Sequence, residues 1–162
     1  MHFHTYDYRH AETILNANLR LKREIESVLT GLDLDFARPH PANGCSAHRQ
    51  IQQAFLRQGW EGEALVSRRT RKRQFFDLYK ERVAIEIELS NRERLYRDYL
   101  RFLLAEAEGR IDVGVILLVD YAACTFTTPG MRAPLPQLAQ VEDDLRCLRA
   151  VVGVPIWVVA LH

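Results

Sequence analysis

This sequence is poor in the residues that would tie it to several large classes of chemistry. Its 162 residues include three cysteines, Cys45, Cys124 and Cys147, with no CxxC spacing. That excludes a disulfide framework and a cysteine zinc site. The thiols read as reduced, as in a cytoplasmic protein, with Cys124 and Cys147 expected to fill core space. No apolar run reaches the roughly 18 residues that cross a bilayer, so no membrane partner is expected. The opening "MHFHTYDYRHAE" lacks the charged-then-apolar build of a signal peptide. There is no G-x-S-x-G elbow, P-loop or dinucleotide fingerprint. Histidines are scattered at positions 2, 4, 10, 40, 48 and 162, so a histidine metal site is not expected. Internal repeats and low-complexity tracts are absent as well.

What is present fits one globular domain with a real core. The apolar fraction is 48% and the net charge is +1. The charge is unevenly spread. Ser67 to Arg101 holds 11 basic and 6 acidic residues, against 7 and 8 before it and 4 and 7 after it. A local excess of positive charge suits a polyanion; it also suits a solvated face.

Periodicity predicts the elements. Ala11 to Thr30 carries apolar residues on one helical face and is stopped by Gly31. After a Pro-rich loop from Asp33 to Cys45, Ser46 can cap a helix that runs to Arg57. Glu63 to Ser67, Gln74 to Tyr79 and Val83 to Leu89 then read as strands. A helix is expected over 92–108, with Arg94 and Arg97 available to phosphate or a second subunit. "IDVGVILLV" at 111–119 is oily on both faces, as a central strand must be. Thr125 to Pro136 is a loop, Leu138 to Val152 a helix, and "VPIWVVAL" a last strand. Close strands followed by strands separated by helices predict a mixed sheet flanked by helices. The expected single domain, 1–162, divides into N-terminal helices (1–60) and a catalytic sheet with helices (61–162).

The stretch "DLYKERVAIEIELSN", 77–91, carries the chemistry. Alternation turns Val83, Ile85, Ile87 and Leu89 to the core and Ala84, Glu86, Glu88 and Ser90 to the other face. The two glutamates stand about 6.6 Å apart along the strand. A turn at 80–82 would fold Asp77 back towards them. Three converging carboxylates repel, and Mg²⁺ relieves the conflict while leaving room for phosphate and water. Phosphodiester hydrolysis needs such a cation and an activated water. Asp77 and Glu86 would then hold the metal, and Glu88 would touch it or polarise the water. A Glu-x-Glu face is also common as solvated decoration, although glutamate forms strands poorly. The run "RRTRKR" supplies Arg68, Arg69, Arg71, Lys72 and Arg73 as phosphate contacts or as a solvated loop. Lys80 and these arginines are the candidates for an assisting cation. Asn91 suits either adenine contact in the major groove or capping of the next helix.

Asp77, Glu86 nine positions on, Glu88 and then Ser90-Asn91 resemble the active site of the BglII/BstYI type II restriction endonucleases. These have the PD-(D/E)xK nuclease fold, an α/β mixed sheet flanked by helices. "YDYRHAETILN" with "EIESVL" resembles the family's opening helix, "IDVGVILLV" a core strand and "VPIWVVAL" the closing strand. The likeness implies that Asp77 and Glu86 bind metal, and that Glu88 replaces a glutamine of BglII. It implies that Ser90 and Asn91 approach the bases of double-stranded DNA. It further implies Mg²⁺ as cofactor, cleavage of palindromes centred on GATC, a homodimer, and a companion DNA methyltransferase. The likeness also leads to the expectation that a further C-terminal segment of BglII has no counterpart here, and that the loop carrying Arg132 substitutes for it. The alternatives are a low-specificity DNA nuclease of the same fold and a non-catalytic DNA-binding protein.

Overall fold

The structure, a computed structural model, describes residues 1–34, 47–89, 92–120 and 135–162. Eleven elements follow one another in these residues: β1 (Phe3–Tyr8), α1 (Ala11–Ala17), α2 (Leu19–Thr30), α3 (Ala47–Leu56), β2 (Glu61–Leu65), β3 (Phe75–Lys80), β4 (Val83–Ile87), α4 (Arg92–Ala107), β5 (Val113–Val119), α5 (Leu138–Cys147) and β6 (Ile156–Leu161). The strands form one sheet in the order β1-β6-β5-β4-β3-β2. Its centre, β4-β5-β6, is parallel, and the two flanks are antiparallel. This is the mixed sheet expected from the element spacing.

Two expectations need correction. The chain opens on a strand, because residues 3–8 find β6 as an antiparallel partner across the whole molecule. A polar segment such as HTYDY shows no such partner locally. The long helix expected over 11–30 is also two helices. Asn18 takes φ −116° and ψ 70°, leaving the helical region, and its side-chain oxygen accepts a hydrogen bond from Leu21 N at 3.3 Å. An asparagine that offers its side chain to the backbone readily ends one helix and starts the next.

Each face of the sheet carries its own core. On one face Leu15, Leu21, Ile25, Leu29, Ile51 and Phe55 of α1–α3 meet Leu78, Ile85, Val115 and Trp157. On the other, Leu95, Tyr99, Phe102, Val141 and Leu145 of α4 and α5 meet Ala84, Ile116, Val158 and Ala160. β4 and β5 are buried at every position, as a central parallel strand with helices on both faces should be. The fit of α4 depends on Gly114, where an added Cβ would lie 2.8 Å from the Phe102 ring. Cys147 is exposed, contrary to the core position expected for it. Cys45, Cys124, Ser46 and the loop with Arg132 lie outside the described residues.

Candidate active site

The β3–β4 hairpin brings the acidic residues together. Its connection is the two residues Glu81 and Arg82, with φ of 47° and 66°. Such a turn normally uses Asn-Gly or Asp-Gly. Here side-chain contacts hold it instead. Glu81 pairs with Arg20 and accepts from Asn18 at 2.9 Å, while Arg82 grips both oxygens of Asp112 at 2.6 and 2.7 Å. The hairpin register pairs Leu78 with Ile85. Extended by one step, it sets Asp77 across from Glu86.

The ladder stops at that step. Phe76 and Leu78, two apart on β3, belong to opposite cores, so the backbone turns at Asp77. Glu63, facing Asp77 from β2, has φ 52° and forms no pair in the otherwise continuous β2–β3 register. Freed from the ladder, Asp77 turns to β4, and its Oδ2 accepts a hydrogen bond from Ile87 N at 2.8 Å. His48 Nε2 lies 3.3 Å from the same oxygen. Burial pushes the Asp77 carboxyl up, but the hydrogen bonds from His48 and Ile87, with the charges of His48 and Arg101, outweigh it. The carboxyl is held below its usual range. Oδ1 accepts no hydrogen bond from a described residue.

Glu86 and Glu88 are 2% and 4% exposed, so the acidic face of β4 is not solvated. It is covered by α4. Arg101 Nη1 donates to Glu86 Oε1 at 2.9 Å and to Asp98 Oδ1 at 3.2 Å. Burial, then the negative charges of Asp98 and Asp77, raise the Glu86 carboxyl from 4.5 to about 9 against the opposing pull of Arg101. Asp98 is raised in the same direction, mainly by burial. Arg101 is thus shared between Glu86 and Asp98, and Arg97 reaches Asp98 as well, at 3.4 Å. Taking several clustered carboxylates out of water costs on the order of several kcal/mol unless their charge is fully compensated. Proteins accept such a cost where a site uses it.

The donor set fits a small divalent ion. It is made of hard carboxylate oxygens, with Asp77 Oδ1 and Glu86 Oε2 not engaged by any described donor. Asp77, Glu86 and Glu88 nevertheless do not form a closed trio. Among the described residues, the one group of three such side chains with ligand atoms within 4.8 Å is His4, Asp120 and His162. Histidines that are scattered in sequence therefore do cluster in space.

The basic run forms the loop between β2 and β3, closed by Val66 N donating to Gln74 O at 2.9 Å. β3 runs antiparallel to β4, so this loop lies at the same end of the sheet as the carboxylates. Arg68, Arg69, Arg71, Lys72 and Arg73 are exposed, and none forms an ion pair with a described residue. Glu108 instead anchors the loop's polar backbone, taking Arg68 N at 3.1 Å and the Ser67 hydroxyl. Lys80 is not available as an assisting cation. Its Nζ is 2.7 Å from both Glu24 Oε1 and Gln58 O, away from the carboxylates. Arg97 pairs with Asp98 at 3.4 Å. Ser90 and Asn91 lie outside the described residues.

Three neighbours of the carboxylates were not singled out from sequence: His48, Asp98 and Arg101. A signal existed for Asp98. It falls in the buried stripe Leu95, Asp98, Tyr99, Phe102, Ala105 of α4, where an acid is out of place unless partnered. His48 and Gln52 are one helical turn apart and both reach Asp77, Gln52 by donating to its carbonyl at 3.2 Å. Nothing in the sequence tells which strand that turn would meet.

A mixed sheet whose central hairpin delivers acids to one end, beside an exposed basic loop, defines a nuclease of the restriction-endonuclease class. The family model described as Restriction endonuclease BglII/BglIII matches residues 3–161, and the chain belongs to this family of type II site-specific deoxyribonucleases. No curated protein matches. Among solved structures, restriction endonuclease BglII complexed with a DNA 16-mer is similar at a TM-score of 0.77 and 21% identity, over 99% of this chain and 76% of that one. Free BglII is similar at a TM-score of 0.69 and 22% identity, over 100% and 80% of the two chains. These likenesses show the fold.

Proposed function

We propose that the protein cuts double-stranded DNA at a specific palindrome, with Mg²⁺ as cofactor, and that Asp77 and Glu86 hold the ion. The observation that carries this reading is the buried pair itself: Asp77 kept ionised by His48 and Ile87, Glu86 poorly neutralised by Arg101 alone. When bound, a divalent ion supplies positive charge to the phosphoryl oxygens and the departing oxygen. The protein's own groups supply the rest. Glu88, buried on the same strand face, accepts a proton from the attacking water. Arg101, 2.9 Å from Glu86, would turn its guanidinium to a phosphate oxygen and stabilise charge that grows during attack. His48 keeps Asp77 oriented. The basic loop positions the backbone without reading sequence, and Ser90 and Asn91 are assigned to the bases.

Cutting both strands of a palindrome calls for two such sites related by a two-fold axis, hence a homodimer. The intracellular setting and the companion methyltransferase belong to the same reading. So does the GATC-centred site, which the family likeness suggests and which is therefore the first substrate to try.

The test is incubation of the purified protein with a GATC-containing plasmid and Mg²⁺. Discrete fragments with mapped ends are expected. A smear would favour a low-specificity nuclease, and an intact but gel-shifted plasmid a non-catalytic binder. Glu86→Ala should abolish cutting while retaining DNA binding, and Glu88→Gln should be milder; retained cutting by Glu86→Ala would remove that residue from the site.

A further inference from the structure

Three of the six histidines gather where β1, β6 and β5 lie side by side. The register explains how. His4 on β1 stands opposite Ala160 on β6. His2 and His162 exchange both backbone hydrogen bonds, at 3.1 and 2.9 Å, extending that ladder. Asp120 follows β5, and its N–H donates to Leu161 O at 2.7 Å. Phe3, Leu161 and Val119 pack into the α1–α3 core. Strand alternation therefore sends His4, His162 and Asp120 to the opposite face, each from a different neighbouring strand.

The side chains converge there. His4 Nδ1 lies 2.9 Å from Asp120 Oδ2, and the His4 and His162 rings are 4.4 Å apart between centroids. One ligand atom from each of His4, Asp120 and His162 falls within 4.8 Å of the others. His162 Nδ1 is buried and has no hydrogen-bond partner among the described residues. His2 stacks on His162 from the outer side at 6.1 Å.

We propose that His4, Asp120 and His162 form a second metal site, specific for a borderline transition ion such as Zn²⁺, Co²⁺ or Ni²⁺. Two imidazoles and one carboxylate are the donors such ions prefer, and three protein ligands leave a coordination position open. Mg²⁺, which takes oxygen ligands and gives up its water reluctantly, is poorly served by this set. The site is thus chemically distinct from the all-oxygen site at Asp77 and Glu86. It is also spatially separate: Asp120 lies four residues beyond Ile116, the β5 partner of Glu86, or about 13 Å along the strand. Ligands on three paired strands are pre-positioned by the ladder, so the ion would clip edge strand β1 to the parallel centre of the sheet.

The proposal stands apart from the nuclease reading and is tested without DNA. Metal-free protein is titrated calorimetrically with Zn²⁺, and with Co²⁺ while visible absorption is followed. With Mg²⁺ present in excess to hold the carboxylate site, one tightly bound Zn²⁺ per chain is expected, with a visible Co²⁺ band and a raised thermal midpoint. Asp120→Asn and the surface variant His4→Gln should each weaken Zn²⁺ by about tenfold or more and remove the band. Circular dichroism checks that both fold, and Glu86→Gln should bind Zn²⁺ as the parent does. Millimolar or weaker Zn²⁺ binding would overturn the site. So would binding that survives Asp120→Asn and His4→Gln, or that disappears in Glu86→Gln.

Discussion

Arg101 is the residue on which the candidate active site turns. Its guanidinium, carried on α4 and mostly shielded from solvent, is 2.9 Å from Glu86 and 3.2 Å from Asp98. Under the proposed function it would compete with a divalent ion for Glu86 and turn to phosphate once displaced. Arg101→Gln is expected to bind Mg²⁺ or Ca²⁺ more tightly than the parent and to cut at least about a hundredfold more slowly. Calorimetry and single-turnover cleavage check the two halves. A residue that only supported the fold would weaken both, and that result would deny Arg101 its place at the phosphate. Glu86 makes a second expectation at this scale. Its carboxyl is raised to about 9, by burial first and then by Asp98 and Asp77. Below the ordinary carboxylate range both folded and unfolded chains hold the proton, and no penalty arises. As pH rises towards 9 the unfolded chain ionises first, so the folded state loses stability. Asp98 acts in the same direction. Asp77, held low, works oppositely, losing its contribution only as pH falls through its lowered value. Metal-free protein should thus melt at a lower temperature near pH 8 than near pH 5.5, and millimolar Mg²⁺ should close the gap. Thermal melts of Glu86→Gln, which should show a flatter pH dependence, check the assignment.

Among the elements, the β2–β3 loop and the β3–β4 hairpin divide the work. The hairpin sets the acids, and its ladder ends where Asp77 must turn towards Ile87. The loop holds five exposed cations at the same sheet end, with its backbone tied to Glu108. Replacing Arg71, Lys72 and Arg73 with alanine should lower the slope of log affinity against log salt by about one unit for each phosphate no longer neutralised. Fluorescence anisotropy with a short duplex at several salt concentrations measures it. An unchanged slope would leave the loop as solvated surface. The elements also show how far pattern reading reached. β4, β5, α4, α5 and β6 were legible because each has a strong period or an unbroken apolar run. β1 was not, because HTYDY alternates only weakly and acquires its partner, β6, about 150 residues away. The break at Asn18 was hidden by an apolar stripe that continues on both sides of it.

At the scale of the whole molecule the question is assembly. Described residues leave Tyr96 and Leu100 exposed, 43% and 59%, one turn apart on α4. This apolar strip on α4 suits contact with a second copy, which the proposed palindromic cutting would call for. Sedimentation at micromolar protein, with and without a palindromic duplex, should give the mass of two chains. A monomer on DNA together with double-strand cutting would refute the two-fold arrangement. The family itself was legible in the sequence through the spacing of Asp77, Glu86 and Glu88, since strand alternation alone places the two glutamates on one face. Their surroundings were not legible in the same way.

The sequence by itself determined the sheet's central strands, the carboxylates and the basic run, because these depend on periodicity and on residues close in the chain. Only the tertiary structure decided that the acidic face is buried, that Arg101, Asp98 and His48 attend it, and that His4, Asp120 and His162 meet. Those contacts join separate strands and helices, 15 residues apart for Glu86 and Arg101 and 116 for His4 and Asp120, and their partners are chosen by sheet order and packing, which no local pattern encodes.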